Sequence, residues 1–522
     1  MQKLIFTLFI TLSLGLQASF AQSYVVSGIE KTDKEGMQYE ILGKVANNYW
    51  IYKKNAGVST IALYNAQMQL VKQNDLAFIP ASIRDIQFIK SADKVVLFYQ
   101  FQGNTTVYAA AATLNNEGQL VGQPKIIDTA NNIRPGSHPK VFNLLESDDH
   151  SQIKLFSVNT TKANSLKVKV VTLNSDFDII NDATINVNAQ NKTSVLSDFA
   201  LDNKGNLFCL RNMTLANAAP AVSLLYLAAD GSEAVESPIV NTTLLLDDIR
   251  LKLDNVNGRV ILNSFYAVEK KGNVEGIYSY IWDIKAKKEI TSNASRFTDA
   301  LRAAVSSKRN LKDAFDNFYF DKINVQADGS VVMVAEAAET YSNRSAFSRW
   351  DYFYGGAFYN PYMFSYWNRP FGFYPWARFG WGMSPFMFNP WMNPYAGFGY
   401  PSVTYNANKI ALVSIDTKGS IHWVKTIDKS QSDMNVDQFI GYGLIENNAG
   451  STFVYQKKER GISQFVINSL GKDGLLSKGA NVILAEKKYE WMPRSLKQTG
   501  DNEAIVPYQY KDRIGFAKIQ IK

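Results

Sequence analysis

Apolar and polar residues alternate in short runs along the chain, and two patterns take turns. The first is an acidic residue, a short apolar strand, a turn and a second apolar strand, as in Asp85-Ile86-Gln87-Phe88 with a turn over 91–94 and a return over 95–98. It recurs at Asp198 with a turn ending in Gly205, at Asp248 with Gly258, at Asp321 with Asp328-Gly329 and at Asp437 with Gly450, and more weakly near Glu40 and Lys140. The second is strand, polar turn, strand, over 60–71, 107–121, 168–180, 222–235, 278–290, 409–424 and 464–476. Period-two alternation bounded by Gly, Asn and Asp predicts β-hairpins, because those residues accept the positive φ that tight turns need.

One hairpin of each kind gives four strands, and repetition of that unit at about 50 residues is the signature of a β-propeller. Inner hairpins starting at Ile41, Asp85, Val141, Asp198, Asp248, Asp321, Asp437 and Leu496 predict eight blades in an all-β chain. The last blade runs out of sequence, and Tyr24 to Gly28 is expected to complete it, closing the ring and removing two free strand edges. Seven blades is the alternative count, and a pair of β-sandwich domains the alternative fold.

Two insertions interrupt the series. Within 296–318, Leu301, Ala304, Val305, Leu311, Phe315 and Phe318 fall at helical spacings behind Thr298-Asp299, predicting one or two short helices on the rim. The second, 342–405, separates the two hairpins of the sixth blade.

At the N-terminus Lys3 precedes an apolar run from Leu4 to Leu16, and Ser19-Phe20-Ala21 supplies small residues for cleavage before Gln22. Residues 1–21 read as a secretory signal peptide and 22–522 as one propeller domain. No Cys follows the cleavage site, so lipid attachment there is not expected, and the only cysteine, Cys209, has no disulfide partner in the chain. The expected location is the periplasm or the periphery of the outer membrane.

A net charge of +8 spread over 522 residues, without a Lys/Arg run, argues against nucleic-acid binding. The strand-turn-strand Ala411-Leu412-Val413-Ser414-Ile415-Asp416-Thr417-Lys418-Gly419-Ser420-Ile421-His422-Trp423 resembles the repeat of secreted bacterial β-propellers in its Asp-x-x-Gly turn followed by an apolar residue and Trp. Phe315 to Asp321 followed by Asp328-Gly329 is likewise similar to propeller-like envelope proteins of the Bacteroidetes. The resemblance covers the last 200 residues or so; it implies fold and envelope location, and brings no active-site residue.

Chemistry of the usual catalytic kinds is scarce. Three histidines, His138, His150 and His422, and one cysteine are little material for a transition-metal site, so neither metal nor cofactor is expected. The recurring acids Asp85, Asp198, Asp248, Asp321 and Asp437, with Glu40 at the matching place, would form a ring around the propeller axis. Such a ring suits a cation or a basic peptide, and two of its carboxylates would suit glycoside hydrolysis. The plainer expectation is that each carboxylate accepts backbone N–H bonds from the adjoining turn.

The second insertion has a composition of its own. Trp350, Trp367, Trp376, Trp381 and Trp391 are five of the nine tryptophans, interleaved with Phe, Tyr, Pro and Gly, and Arg369 and Arg378 lie among them. Its roughly twenty aromatics carry about 150–250 Å² each, far more than a soluble monomer leaves bare. The expected covers are the propeller face, an envelope or outer-membrane protein, membrane headgroups and glycan rings. The expected function is therefore a non-enzymatic interaction scaffold using this loop as its contact surface, with a glycan-binding or glycan-hydrolysing propeller as the alternative.

Overall fold

The computed structural model describes residues 23–33, 36–134, 140–160, 166–187, 195–214, 220–239, 244–269, 272–306, 310–342, 403–434, 438–459, 462–477, 479–483 and 489–521. The strands form eight antiparallel sheets in chain order, the four-stranded blades of a propeller. This settles the count at eight and removes the two-sandwich alternative. The innermost strands are Gln38–Val45, Asp85–Lys90, Phe142–Glu146, Val195–Leu201, Leu245–Asp254, Phe318–Val325, Gly443–Asn447 and Lys497–Gly500, in blades 1 to 8. Each runs from what we term the upper face to the lower face. Connections between second and third strands, and from each blade to the next, therefore lie on the upper face.

The apolar residues collect in the seams between blades rather than inside any blade. Blades 1 and 2 share Trp50, Tyr52, Ile61, Ile86, Leu97 and Tyr99. Blades 4 and 5 share Phe208, Leu224, Leu262 and Trp282. Each of the eight seams has such a cluster. A fully buried Trp such as Trp50, Trp282 or Trp491 removes about 150–250 Å² from water, contributing about 4–6 kcal/mol at 25 cal/mol/Å².

The turns are locked by their own side chains. Asn65 Oδ1 accepts from the N–H groups of Gln67 and Gln69, Asn115 from Glu117 and Gln119, and Asn174 from Asp176 and Asp178. Asp202 and Asp416 do the same for Lys204 and Asn206, and for Lys418 and Ser420. Gly205 and Gly419 complete two of these turns at φ of +85° and +83°, where a β-carbon would be strained.

The ring closes as expected. Ser23–Val26 lies antiparallel to Arg513–Gln520, with Tyr24 opposite Ile519 and Val26 opposite Ala517, and forms the outer strand of blade 8. Past it, the Tyr508 hydroxyl donates to Ser27 O at 2.7 Å. The Glu30 carboxylate meets the buried Lys53 ammonium of blade 1, which also donates to the Tyr64 hydroxyl at 2.6 Å. Burial pushes the Lys53 ammonium below the usual lysine range, opposed by the charge of Glu30.

Among its described residues the segment between blades 5 and 6 has one helix, Asp299–Val305, capped by the Thr298 hydroxyl as the sequence predicts. Residues 311–317 form turns instead of a second helix. Phe297 stacks on Phe315 at 3.7 Å between ring centroids, so this segment packs into the seam of blades 5 and 6. The other insertion leaves blade 6 between its second and third strands. Its two ends are paired, Ser342 with Val403 and Glu339 with Asn406, and the outer strand Ile421–Met434 extends alongside. The expected limits 342 and 405 thus fall within paired strands, and 343–402 lies outside the described residues.

Deleting residues 23–31 uncovers the outer edge of Arg513–Gln520 and removes the Glu30 counter-ion of Lys53. Amide exchange over 513–520 should rise and the melting temperature fall by several degrees. Unchanged exchange there would show that the N-terminal strand does not hold blade 8.

Candidate functional site

The sequence repeat puts an acid near the upper end of successive innermost strands, and at three of them the strand is irregular. In blade 4 the ladder skips between Ser197 and Ala200, in blade 5 between Asp247 and Arg250, and in blade 6 between Phe320 and Lys322. Asp198, Asp248 and Asp321 sit in these β-bulges, each of which adds a residue on one strand. Asp198 takes a φ of +50° at its bulge.

The acids with described side chains do not form an open ring. Asp85 is fully buried, and Lys140 of blade 3, buried as well, places Nζ 2.9 Å from its Oδ2. Burial pushes the Asp85 carboxyl up, and the Lys140 ammonium opposes that shift. Arg250 of blade 5 stands 3.9 Å from Asp198 of blade 4. The Tyr442 hydroxyl of blade 7 donates to Asp321 of blade 6. Asp437 lies outside the described residues, as do His138, Trp350, Trp367, Arg369, Trp376, Arg378, Trp381 and Trp391; nothing is described of the Asp248 side chain. Turn locking falls instead to other residues, Asn65, Asp202 and Asp416 among them.

Asp321 belongs to a larger buried group joining blades 6, 7 and 8. Glu336, on the second strand of blade 6, pairs with Lys429 on the outer strand through Oε1 and with Arg494 at the entry to blade 8 through Oε2, the latter at 3.0 Å. The Lys429 ammonium also lies 5.4 Å from the centre of the Tyr442 ring. Desolvation pushes Lys429 down to about 8, against the raising effect of Glu336. Desolvation raises the Asp321 carboxyl, which the hydrogen bond from Tyr442 opposes, and the Tyr442 hydroxyl is raised well above its ordinary value. Gly441 lies against the Arg494 guanidinium at φ +93°, leaving no room for a β-carbon.

Neutral amides repeat the same cross-blade grip. Gln100 of blade 2 accepts from the Val141 and Phe142 N–H groups of blade 3 and donates to Phe142 O. Gln431 holds Gly441 in both directions, and Gln456 accepts from Trp491 N–H at 2.8 Å. What this arrangement does chemically is to fix the register of neighbouring blades at the upper face. Among the described residues no three His, Cys, Asp or Glu side chains group as a metal site. His150 Nδ1 lies 2.8 Å from Glu146 in a lower turn, His422 is exposed on an outer strand, and the Cys209 thiol is buried and raised by desolvation. No helix among the described residues is long and apolar enough to cross a membrane.

The cations Lys140, Arg250, Lys429 and Arg494 were not anticipated. One signal was readable: Lys140 occupies, in the third repeat, the place where other repeats carry an acid, and this charge reversal pairs it with the acid of the preceding blade.

No family model and no curated protein matches the chain. Among solved structures it is similar to a polysaccharide lyase, an ulvan lyase bound to a GlcA(1-4)Rha3S unit, at 10% identity over 82% of this chain and 90% of that one, with a TM-score of 0.35. It is also similar to prolyl oligopeptidase B from Galerina marginata at 7% identity, over 96% and 57% of the two chains, with a TM-score of 0.39. An α-L-arabinanase from Penicillium chrysogenum matches at 10% identity over 60% and 94%, with a TM-score of 0.30. Likenesses this distant carry no argument about activity, and the architecture rests on the strand pairing itself.

Three variants check the buried pairs. Lys140→Met leaves the Asp85 carboxylate buried without its cation and should cost about 3–5 kcal/mol in urea unfolding, while adding Asp85→Leu should recover much of the loss. For Lys429, a folded-state pKa of about 8 lies below the unfolded value of about 10.4, so between these values the unfolded chain binds the extra proton and stability rises with pH. Raising the pH from 8 to 9.5 should therefore favour the wild type relative to Lys429→Met; parallel pH dependences would refute the assignment.

Proposed function

We propose that the protein is an exported propeller acting as a non-enzymatic interaction scaffold in the envelope of a Gram-negative bacterium, with segment 343–402 as its contact surface. The observation that carries the reading is the mounting of that segment. Its ends are held side by side, Ser342 opposite Val403, on strands that run beyond the blade at the upper face. Residues beyond the stem are dominated by Trp, Tyr, Phe, Gly and Pro, with Arg369 and Arg378 inside and Asp351 as the one acid between 350 and 400. Aromatics and arginine are the residue types enriched where proteins bind one another. An envelope or outer-membrane protein is the partner this composition favours. The commitment of Asp85 to Lys140 and of Asp321 to Tyr442 weighs against the glycan-hydrolase alternative, which needs carboxylates facing a sugar.

The test replaces 343–402 by a short Gly/Ser linker between ends that are already adjacent, a change that costs little in loop closure. The trimmed protein should keep its β-sheet circular dichroism, become more soluble and no longer co-sediment with detergent-extracted envelope complexes. Undiminished co-sedimentation would overturn the reading. Loss of glycan-array binding on trimming, with envelope association retained, would transfer the loop to the glycan alternative.

A further inference from the structure

On the lower face the turns between first and second strands touch one another, and the turn of blade 5 reaches those of blades 3, 4 and 6. Asn255 Nδ2 donates to Asp148 of blade 3 at 2.9 Å, and Asn255 Oδ1 accepts from the Asn203 N–H of blade 4 at 3.2 Å. Arg259, where the turn ends, donates to Gly329 O of blade 6 at 3.1 Å. A β-carbon on Gly329 would stand 2.6 Å from the same guanidinium nitrogen, so Arg259 lies directly on the blade 6 turn. One buried carboxylate organises this arrangement. Asp254, 3% exposed, accepts from Arg259 at 2.6 Å and from Asn257 through its N–H at 3.0 Å and its amide Nδ2 at 2.9 and 3.1 Å.

The turn itself reads Asn255-Val256-Asn257-Gly258, and Asn257-Gly258 is the only Asn-Gly pair in the chain. Asn257 is exposed. Asparagine is thermolabile because the next backbone nitrogen can attack the side-chain amide, and a following glycine puts no side chain in the way. Gly258 takes φ +63°, a β-carbon on it would meet nothing within 4 Å, and its N–H makes no hydrogen bond among the described residues. The attacking nitrogen is thus unhindered and unengaged. The nitrogen that would leave is Asn257 Nδ2, and the Asp254 carboxylate facing it at 2.9 Å favours the positive charge that builds as it departs.

We propose that Asn257 is a deamidation site whose conversion releases the blade 5 turn from its neighbours on the lower face. Gly258 N gives its proton to solvent and bonds to Asn257 Cγ, the Cγ–Nδ2 bond breaks, and the nitrogen takes up a proton from solvent and leaves as ammonia. Water then opens the five-membered imide at either carbonyl, leaving aspartate or isoaspartate with no change of oxidation state. Both products set a second carboxylate against the buried Asp254 in place of the Nδ2 donor, and like charges there repel. Isoaspartate also inserts a methylene into the backbone just ahead of Arg259, drawing it away from Asp254 and Gly329. This site is separate from the upper-face insertion and does not depend on the function proposed for it.

Ageing the full chain in warm, mildly alkaline buffer, followed by peptide mass mapping and by labelling with an isoaspartyl methyltransferase, tests the assignment. Asn257 should convert ahead of every other asparagine, to both aspartate and isoaspartate, and Asn257→Gln should remove the labelling. Aged wild type should melt a few degrees lower than fresh protein, with faster amide exchange over 255–259 and 326–330. Aged Asn257→Gln should show neither change. Asn257→Ser lacks the reacting amide as well and gives the same comparison should the longer glutamine disturb the turn. Without ageing, Asn257→Asp should reproduce the lower melting temperature, because it supplies the second carboxylate directly. An intact Asn257 after other asparagines have converted, or conversion that leaves exchange over 326–330 unchanged, would each overturn the proposal.

Discussion

A radial blade has two apolar faces and can cover neither by itself. Every blade here depends on both neighbours, because the buried residues sit in seams: Phe98 and Ala111 of blade 2 meet Phe142 and Leu155 of blade 3, and Val334 and Leu412 of blade 6 meet Phe453 and Tyr455 of blade 7. An open series would leave its first and last faces bare and its terminal strand edges free to pair with other chains. The fold is complete only when blade 8 packs on blade 1, where Ile51, Ala62 and Tyr64 meet Ile505, Ile514 and Phe516. The residues that make closure possible come from opposite ends of the chain. Ser23–Val26 supplies the outer strand, Ser27 accepts from Tyr508, and Glu30 continues into blade 1 at Lys53.

The same constraint explains why charge is buried near the axis. Where eight innermost strands converge, the apolar seams end and polar groups must face other polar groups. Isolated carboxylates there would pay a large desolvation cost, and three of the recurring acids meet a partner on an adjoining blade: Lys140 for Asp85, Arg250 for Asp198, Tyr442 for Asp321. Such pairs add little net stability compared with apolar packing, but a slipped blade would leave one charge alone. We regard them as register marks: hydrophobic seams tolerate sliding by small amounts, whereas Glu336 held between Lys429 and Arg494 does not.

Local chemistry was legible in the sequence and cross-blade chemistry mostly was not. The alternation of two hairpin types, the Asn and Asp turns, the Thr298 cap and the completing strand near Tyr24 are encoded within a few residues, and each appears in the structure. The acids were visible because they repeat. Their partners were not, because Lys140 meets an acid in the previous blade while Arg494 reaches Glu336 two blades back, so no fixed spacing connects donor to acceptor. The bulges at Asp198, Asp248 and Asp321 were hidden for a related reason: an extra residue in one strand is defined only by the strand beside it. The same holds for Gly43, whose composition says only that a side chain is missing, while its neighbour Lys90 comes from the next blade.

Blade 6 brings these themes together. Its outer strand, Ile421–Met434, serves three ends at once: the lower part completes the blade, Lys429 and Gln431 enter the buried group at the upper face, and 431–434 pairs with the stem of the insertion. Ala338, Ala407 and Ile440 form a small apolar cluster with Tyr319 and Tyr405 beneath that stem. The long strand is thus anchored by ions and apolar contacts just where it leaves the blade, and the stem is an extension of the sheet rather than a loop attached to it. The backbone ladder of this extended hairpin runs directly into residues that join blades 6, 7 and 8. The stem of the insertion is therefore tied through Glu336, Lys429, Gln431 and Arg494 to blades 6, 7 and 8 of a ring that Ser23–Val26 closes.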